Sequence, residues 1–120
     1  MSGEISPQMQ NQIAQLQQLQ QQLQVIATQR AQLEAKEREI ESTLEELKKT
    51  KDDTPVYKSI GTLLIKADNK KELQKELDEH KETIGVRVKT LKKQETTLSE
   101  RYQSLGEKLN EALQGRRGAN

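Results

Sequence analysis

The sequence predicts a mostly α-helical protein: a long antiparallel two-helix coiled coil with a β-hairpin at the centre of the chain. Three observations predict this fold class. Apolar residues recur every seven positions in both halves, the central stretch has a strand-like pattern, and the whole chain is too polar for an ordinary globular core. Such a composition also suits disorder, but the regular seven-residue spacing favours apolar seams buried between helices.

The composition limits the possible functions. Of the 120 residues, 31% are hydrophobic and 32% charged, which leaves too few large apolar side chains to offset the entropy of ordering a compact domain. A formal net charge of +1 with interspersed signs gives no long-range attraction to nucleic acid or to a membrane surface. Without cysteine, disulfides and thiolate metal sites are excluded. The polar N-terminus and the lack of a long apolar run predict a cytoplasmic protein.

The first predicted helix spans 7–50. Ser6 is suited to cap it, and Pro7 is suited to its first position. Heptad position a holds Met9, Leu16, Leu23, Arg30, Glu37 and Leu44, and position d holds Gln12, Leu19, Ile26, Leu33, Ile40 and Leu47. An apolar seam restricted to these two positions is typical of a coiled coil.

The central stretch, 54–68, predicts two short strands around a tight turn at Gly61. β-Branched and aromatic residues are concentrated there, and Pro55 blocks continuation of the preceding helix. A hairpin of this size is marginally stable alone, and its free edges would expose unpaired backbone groups. We therefore expect its strands to pair with those of other chains.

The second predicted helix spans 70–114, and Gly115 is the expected stop before a disordered tail at 115–120. One row of its seam is apolar throughout: Leu77, Ile84, Leu91, Leu98, Leu105 and Ala112. Gly85 lies in a β-branched segment and costs a helix about 1 kcal/mol, so we expect local softness there without a break.

Folding the chain back at Gly61 predicts a register in which facing residue numbers sum to 121. Every a position then faces a d position, and apolar residues meet in half of the layers, as in Leu23 with Leu98. The polar interruptions of the two seams cluster together, so we expect Arg30 to reach Glu95 and Glu37 to reach Lys81.

No residues form a catalytic constellation, and the chain is predicted not to be an enzyme and to need no cofactor or metal. His80 is isolated among charged residues of a helix, and Asp52 with Asp53 before a proline indicates a turn rather than a calcium loop. Tyr57 and Tyr102 are the only aromatic residues, which argues against stacking on nucleic-acid bases.

The segment from Ile5 to Gln29 contains no charged residue and is dominated by glutamine. Such a surface can contact many partners without selecting for charge, and Met9 adds an adaptable thioether. The alternative is that glutamine serves only as a good helix former on a solvated face.

Three segments, 10–24, 54–61 (Thr-Pro-Val-Tyr-Lys-Ser-Ile-Gly) and 87–91, resemble the beta-type subunits of archaeal prefoldin, and the likeness covers nearly the whole chain. The resemblance implies a hexamer of two alpha-type and four beta-type subunits, whose hairpins join into intersubunit β-barrels. It also implies an ATP-independent holdase that binds non-native proteins and delivers them to a group II chaperonin.

The resemblance further implies roles for two groups of residues. Client-binding residues would be Ile5, Met9, Ile13, Leu16, Leu105, Leu109 and Leu113. Assembly residues would be Val56, Tyr57, Ile60, Gly61, Leu63, Leu64 and Ile65. The alternatives are a structural coiled-coil tether without chaperone activity and a nucleic-acid binder, which would need a basic face.

Overall fold

The computed structural model describes residues 5–118, in which two long helices are joined by a two-stranded antiparallel sheet. In chain order the elements are α1 (Pro7–Lys49), β1 (Tyr57–Ile60), β2 (Leu63–Lys66) and α2 (Lys70–Gly118). This order confirms the predicted fold class. A β-barrel, by contrast, requires strands from further subunits, because residues 5–118 supply only two.

Helix α1 begins where its sequence provides a cap. The Ser6 hydroxyl accepts a hydrogen bond from the Met9 amide at 3.1 Å, and the Ser6 carbonyl accepts one from the Gln10 amide at 2.9 Å. Pro7 occupies the first position, where the missing amide hydrogen has no helical acceptor in any case. The helix ends at Lys49, and the two lysines of its last turn complement the negative end of the helix dipole.

The hairpin has the register expected for a two-residue turn. Tyr57 pairs with Lys66 and Ile60 pairs with Leu63, which leaves Gly61 and Thr62 in the turn. Gly61 has a φ of 57°, and it is the only residue with positive φ in the described part of the chain. A turn with positive φ at its first central residue matches the twist of the two strands, and glycine adopts that conformation without steric strain.

Helix α2 is capped by Asn69, whose side-chain oxygen accepts a hydrogen bond from the Lys71 amide at 2.9 Å. The predicted stop at Gly115 is wrong, because the helix continues to Gly118. Gly115 does not have the positive φ of a helix-ending glycine, and a single glycine costs a helix only about 1 kcal/mol. The predicted tail at 115–118 is therefore helical, and residues 119–120 lie outside the described residues.

The chain divides into two compact units, and each has its own buried residues. In the unit formed by Ala31–Lys89, Leu47 is buried, and Ile40, Leu44, Ile84 and Val88 form a buried cluster with Leu33 and Leu77 packed against it. These residues belong to the predicted seams. In the unit formed by the chain up to Arg30 and from Thr90 onward, Met9, Leu91 and Leu109 are buried. Burial of seam residues thus supplies the core in place of a globular interior.

Candidate assembly and binding surfaces

The hairpin exposes an apolar surface that nothing in its own unit covers. Its five large apolar side chains are between 46% and 73% exposed; we call Tyr57, Ile60, Leu63, Leu64 and Ile65 the hairpin surface. Val56 is half-buried, and Gly61 forms the turn. This arrangement brings the seven predicted assembly residues together in one small element.

Both faces of the two-stranded sheet carry exposed apolar residues. Alternation along the strands places Tyr57 and Leu64 on one face, and Ile60, Leu63 and Ile65 on the other. Both strand edges are also free, since the described sheet has two strands. A sheet that presents exposed apolar side chains on both faces and is open at both edges is suited to burial between strands of other chains.

Polar contacts tie the hairpin to the helices beside it. Lys58 on β1 forms an ion pair with Glu76 on α2, with 3.0 Å between Nζ and Oε2. At the start of α2, the Lys70 ammonium donates a hydrogen bond to the Thr50 carbonyl and lies 3.6 Å from Asp52. These contacts were not predicted, because lysines on short solvated segments carry no sequence signal of a specific partner.

The predicted client-binding residues differ in their accessibility. Ile5 is exposed, and Ile13, Leu16, Leu105 and Leu113 are half-buried. Met9 and Leu109, in contrast, are each only 8% exposed. The two buried side chains stabilise the unit as it stands and would reach a client only if the helices separated locally.

A groove that the sequence did not predict lies between α1 and α2, in the unit formed by the chain up to Arg30 and from Thr90 onward. It has a volume of about 860 Å³ and adjoins a second depression that shares Gln18, Gln22, Thr97 and Arg101 with it; we call the two together the basic groove. Its apolar lining comprises Leu19, Val25, Ile26, Leu98 and Leu105. Its charged lining comprises Lys93, Glu100, Arg101 and Lys108.

Val25 is the most accessible apolar residue of this groove, with 57% of its surface exposed. Its heptad position lies outside the seam, where the sequence predicts only a solvated face. The available signal was a valine among glutamines, because a β-branched apolar residue has no advantage on a fully solvated helix surface.

The polar interruptions of the seams pair partly as predicted. Arg30 and Glu95 form a bidentate ion pair, with 2.5 Å between Nε and Oε2 and 3.2 Å between the second nitrogen and Oε1. This prediction is confirmed. The predicted partner of Lys81 is wrong, since Lys81 pairs with Glu41 at 3.1 Å rather than with Glu37. Glu41 lies one helical turn after Glu37, on the accessible side of the seam, where a lysine ammonium stays hydrated.

The carboxylate of Glu37 instead lies against Gly85. A Cβ atom added to Gly85 would be 3.2 Å from Oε2 of Glu37, which is closer than an ordinary van der Waals contact. The helix is continuous through Gly85. The glycine therefore leaves room for a charged side chain on the facing helix.

Neither a metal centre nor a membrane span is found where the structure describes the chain. Residues 5–118 contain no group of three or more histidine, aspartate or glutamate residues placed to hold a metal ion. None of the described helices is long and apolar enough to cross a membrane. His80, the single histidine, is exposed on α2.

Two seam-packed helices that present an uncovered apolar hairpin define a coiled-coil subunit of a larger assembly. A family model described as "Prefoldin subunit" matches residues 10–116, which is most of the chain. The chain therefore belongs to the prefoldin family, and its relatives place it among the beta subunits. Members of this family are chaperone components rather than enzymes, and beta subunits assemble with alpha-type subunits into a hexamer.

Individual relatives agree over nearly the full length. The chain is 53% identical to the prefoldin subunit beta of Archaeoglobus fulgidus over 116 residues, covering 97% of this chain and 99% of the relative. It is 44% identical to that of Methanothrix thermoacetophila, covering 94% and 93%. The crystal structure of the prefoldin beta subunit from Thermococcus strain KS-1 superimposes with a TM-score of 0.83 at 36% identity, covering 92% and 96%.

Proposed function

We propose that this chain works in the cytoplasm as a subunit of an ATP-independent holdase that binds non-native proteins and delivers them to a group II chaperonin. In this proposal two alpha-type and four copies of this beta-type chain form the hexamer. The observation that supports the assembly on which this proposal depends is the hairpin surface, whose apolar side chains lie on both faces of the sheet and are uncovered in the single chain. Burial of such a surface drives association with other subunits.

The chemistry of the helix ends supports client binding. Ile5 is exposed and Ile13, Leu16, Leu105 and Leu113 are half-buried, so apolar area is accessible there without unfolding the coil. The surrounding residues of α1 are uncharged glutamines, which impose little charge repulsion on a bound segment. Each contact of this kind is weak, and several subunits in one assembly would retain a client through avidity while each contact stays reversible.

The central experiment combines the full-length chain with an alpha-type subunit. Native mass measurement gives the stoichiometry, and light scattering follows the aggregation of a chemically denatured client diluted into the assembled complex. We expect a complex of two alpha-type and four beta-type subunits that suppresses aggregation without ATP. A correctly assembled complex that fails to suppress aggregation would refute the holdase proposal and favour the structural tether.

A matched pair of variants separates client capture from assembly. Ile5→Ser combined with Ile13→Ser removes accessible apolar area at the start of α1, and we expect weaker suppression by an intact hexamer. Val86→Ser serves as the control, because Val86 is an exposed apolar residue of α2 that belongs to the other compact unit. Loss of the hexamer in the double variant would instead assign a structural role to Ile5 and Ile13.

Delivery is tested by transfer of a labelled client from the complex to a group II chaperonin. The complex is loaded with client, chaperonin and ATP are added, and an excess of a client-binding trap is present. We expect refolded client in the presence of the trap, since direct transfer never releases the client into solution. Capture of all the client by the trap would contradict delivery while leaving the holdase activity in place.

A further inference from the structure

We propose that the basic groove binds amphipathic helical segments whose apolar stripe is flanked by carboxylates, and so gives this subunit a preference among clients. This inference rests on the proposed holdase function and adds a second, charge-selective site to the predicted apolar one. The two sites are continuous, because Leu105 belongs to both. The charges, the apolar lining and the backbone geometry of the groove each support this occupant.

The charged residues that line the groove all belong to α2, and most of them are cations. Its α1 wall lies within the uncharged segment from Ile5 to Gln29, so no carboxylate faces the groove from that helix. The α2 wall carries three cations, Lys93, Arg101 and Lys108, against one carboxylate, Glu100. None of the three cations forms an ion pair with another residue of the described chain. The groove therefore has unneutralised positive charge although the whole chain is almost neutral.

The spacing of the cations matches a helical partner. Lys93, Arg101 and Lys108 are separated by eight and seven residues, which correspond to about 12 and 10 Å along α2. A helix lying alongside presents carboxylates to all three when they recur every seven or eight positions, because residues at that spacing share one face. Its neighbouring apolar stripe then contacts Val25 and Leu98.

The backbone of the groove favours a helix over a strand. Both walls are α-helices, so their amide and carbonyl groups are already hydrogen-bonded within each helix and offer no edge for strand addition. An extended segment would leave its own backbone groups unpaired against the apolar lining, whereas a helix satisfies them internally. A third helix on two is also a common coiled-coil geometry.

The test uses two capped peptides of about 22 residues with the same apolar stripe, one with glutamate and one with lysine at the flanking positions. Fluorescence anisotropy measures their binding to the assembled complex of this chain with an alpha-type subunit, at low and at raised salt. We expect the acidic peptide to bind at least about tenfold more tightly at low salt, and the difference to shrink as salt screens the charges.

Variants locate the binding site. Arg101→Gln with Lys108→Gln should weaken binding of the acidic peptide about two- to thirtyfold, and Val25→Ser should weaken both peptides about fivefold. Arg87→Gln with Lys89→Gln is the matched control, because it removes two exposed cations of α2 that do not line the groove. Equal binding of the two peptides, or equal loss in the control variant, would overturn the proposal.

The peptide assay tests the groove proposal and the aggregation assay tests the holdase proposal, so each proposal can be refuted without the other. Suppression of aggregation without discrimination between the peptides would overturn the groove proposal and leave the holdase proposal intact. Discrimination that Arg101→Gln with Lys108→Gln abolishes, in a complex that suppresses no aggregation, would support the groove and refute the holdase activity.

Discussion

Replacing Gly85 by alanine tests whether Glu37 really occupies the space beside that glycine. Alanine is more favourable than glycine inside a helix by about 1 kcal/mol. The added methyl would lie 3.2 Å from Oε2 of Glu37, so the carboxylate has to shift by a few tenths of an ångström. A side-chain adjustment of this kind costs about 0.5 kcal/mol. We therefore expect Gly85→Ala to stabilise the chain by only about 0.5 kcal/mol.

Gly106→Ala provides the matched control on the same helix. Apart from the nearby backbone of its own helix, nothing lies within 4 Å of a Cβ added at Gly106, so the full helix preference of about 1 kcal/mol should be realised there. Urea unfolding followed by circular dichroism at a fixed chain concentration gives both free energies of unfolding. Gly85→Ala should gain about half as much as Gly106→Ala.

A double-mutant cycle with Glu37→Ala isolates the contact. In the Glu37→Ala background nothing opposes the new methyl, so Gly85→Ala should gain about 1 kcal/mol, and the coupling should be about 0.5 kcal/mol. A coupling near zero would show that Glu37 does not crowd Gly85. Destabilisation by Gly85→Ala in both backgrounds would show that the helix needs glycine for another reason.

Three further predictions follow from burial and pairing. Leu91→Ala should lower the free energy of unfolding by about 2–5 kcal/mol, because Leu91 is only 2% exposed. Val25→Ala should change it by less than about 0.5 kcal/mol, and thermal unfolding of the two variants compares these effects. Glu95→Ala should lower the free energy of unfolding by about 1–2 kcal/mol, because it leaves the half-buried Arg30 without its bidentate partner. Urea unfolding measures this change, and a decrease no greater than that of Val25→Ala would contradict the prediction. Ile60→Asp should prevent assembly with an alpha-type subunit while leaving the helical circular dichroism unchanged, and an intact hexamer by native mass would place Ile60 outside the interface.

The helical architecture was predictable because apolar residues recur at the same seven-residue spacing many times. A seven-residue spacing sustained through both helices leaves one seam to bury, and the packing of Ile40 and Leu44 with Ile84 and Val88 follows from it. The hairpin was predictable for the opposite reason, since its β-branched stretch with a central Gly61 breaks the pattern.

The two wrong predictions, the helix end at Gly115 and the partner of Lys81, depend on small differences in free energy. A glycine costs a helix about 1 kcal/mol, which neighbouring helix formers can offset, so Gly115 did not end α2. A surface lysine can reach several carboxylates with nearly equal free energy, and Lys81 forms its ion pair with Glu41 rather than Glu37.

The basic groove was missed because its residues belong to different rows of the heptad. Val25 lies outside the seam of α1, and Arg101 flanks the seam of α2, so neither is remarkable on its own helix. Their proximity depends on the register between the two helices, and the apolar rows taken alone restrict that register only to steps of seven residues.

The Arg30–Glu95 pair removes that remaining freedom. A slip of one helix by seven residues would again place apolar rows together, but it would leave Arg30 and Glu95 without each other in a half-buried layer. The same slip would displace Arg101 by about 10 Å relative to Val25, and the cations would no longer flank the apolar lining. A polar layer that adds little stability compared with a leucine pair thus fixes the register on which the groove depends. We infer that the polar layer matters more for the position of the binding surface than for the stability of the coil.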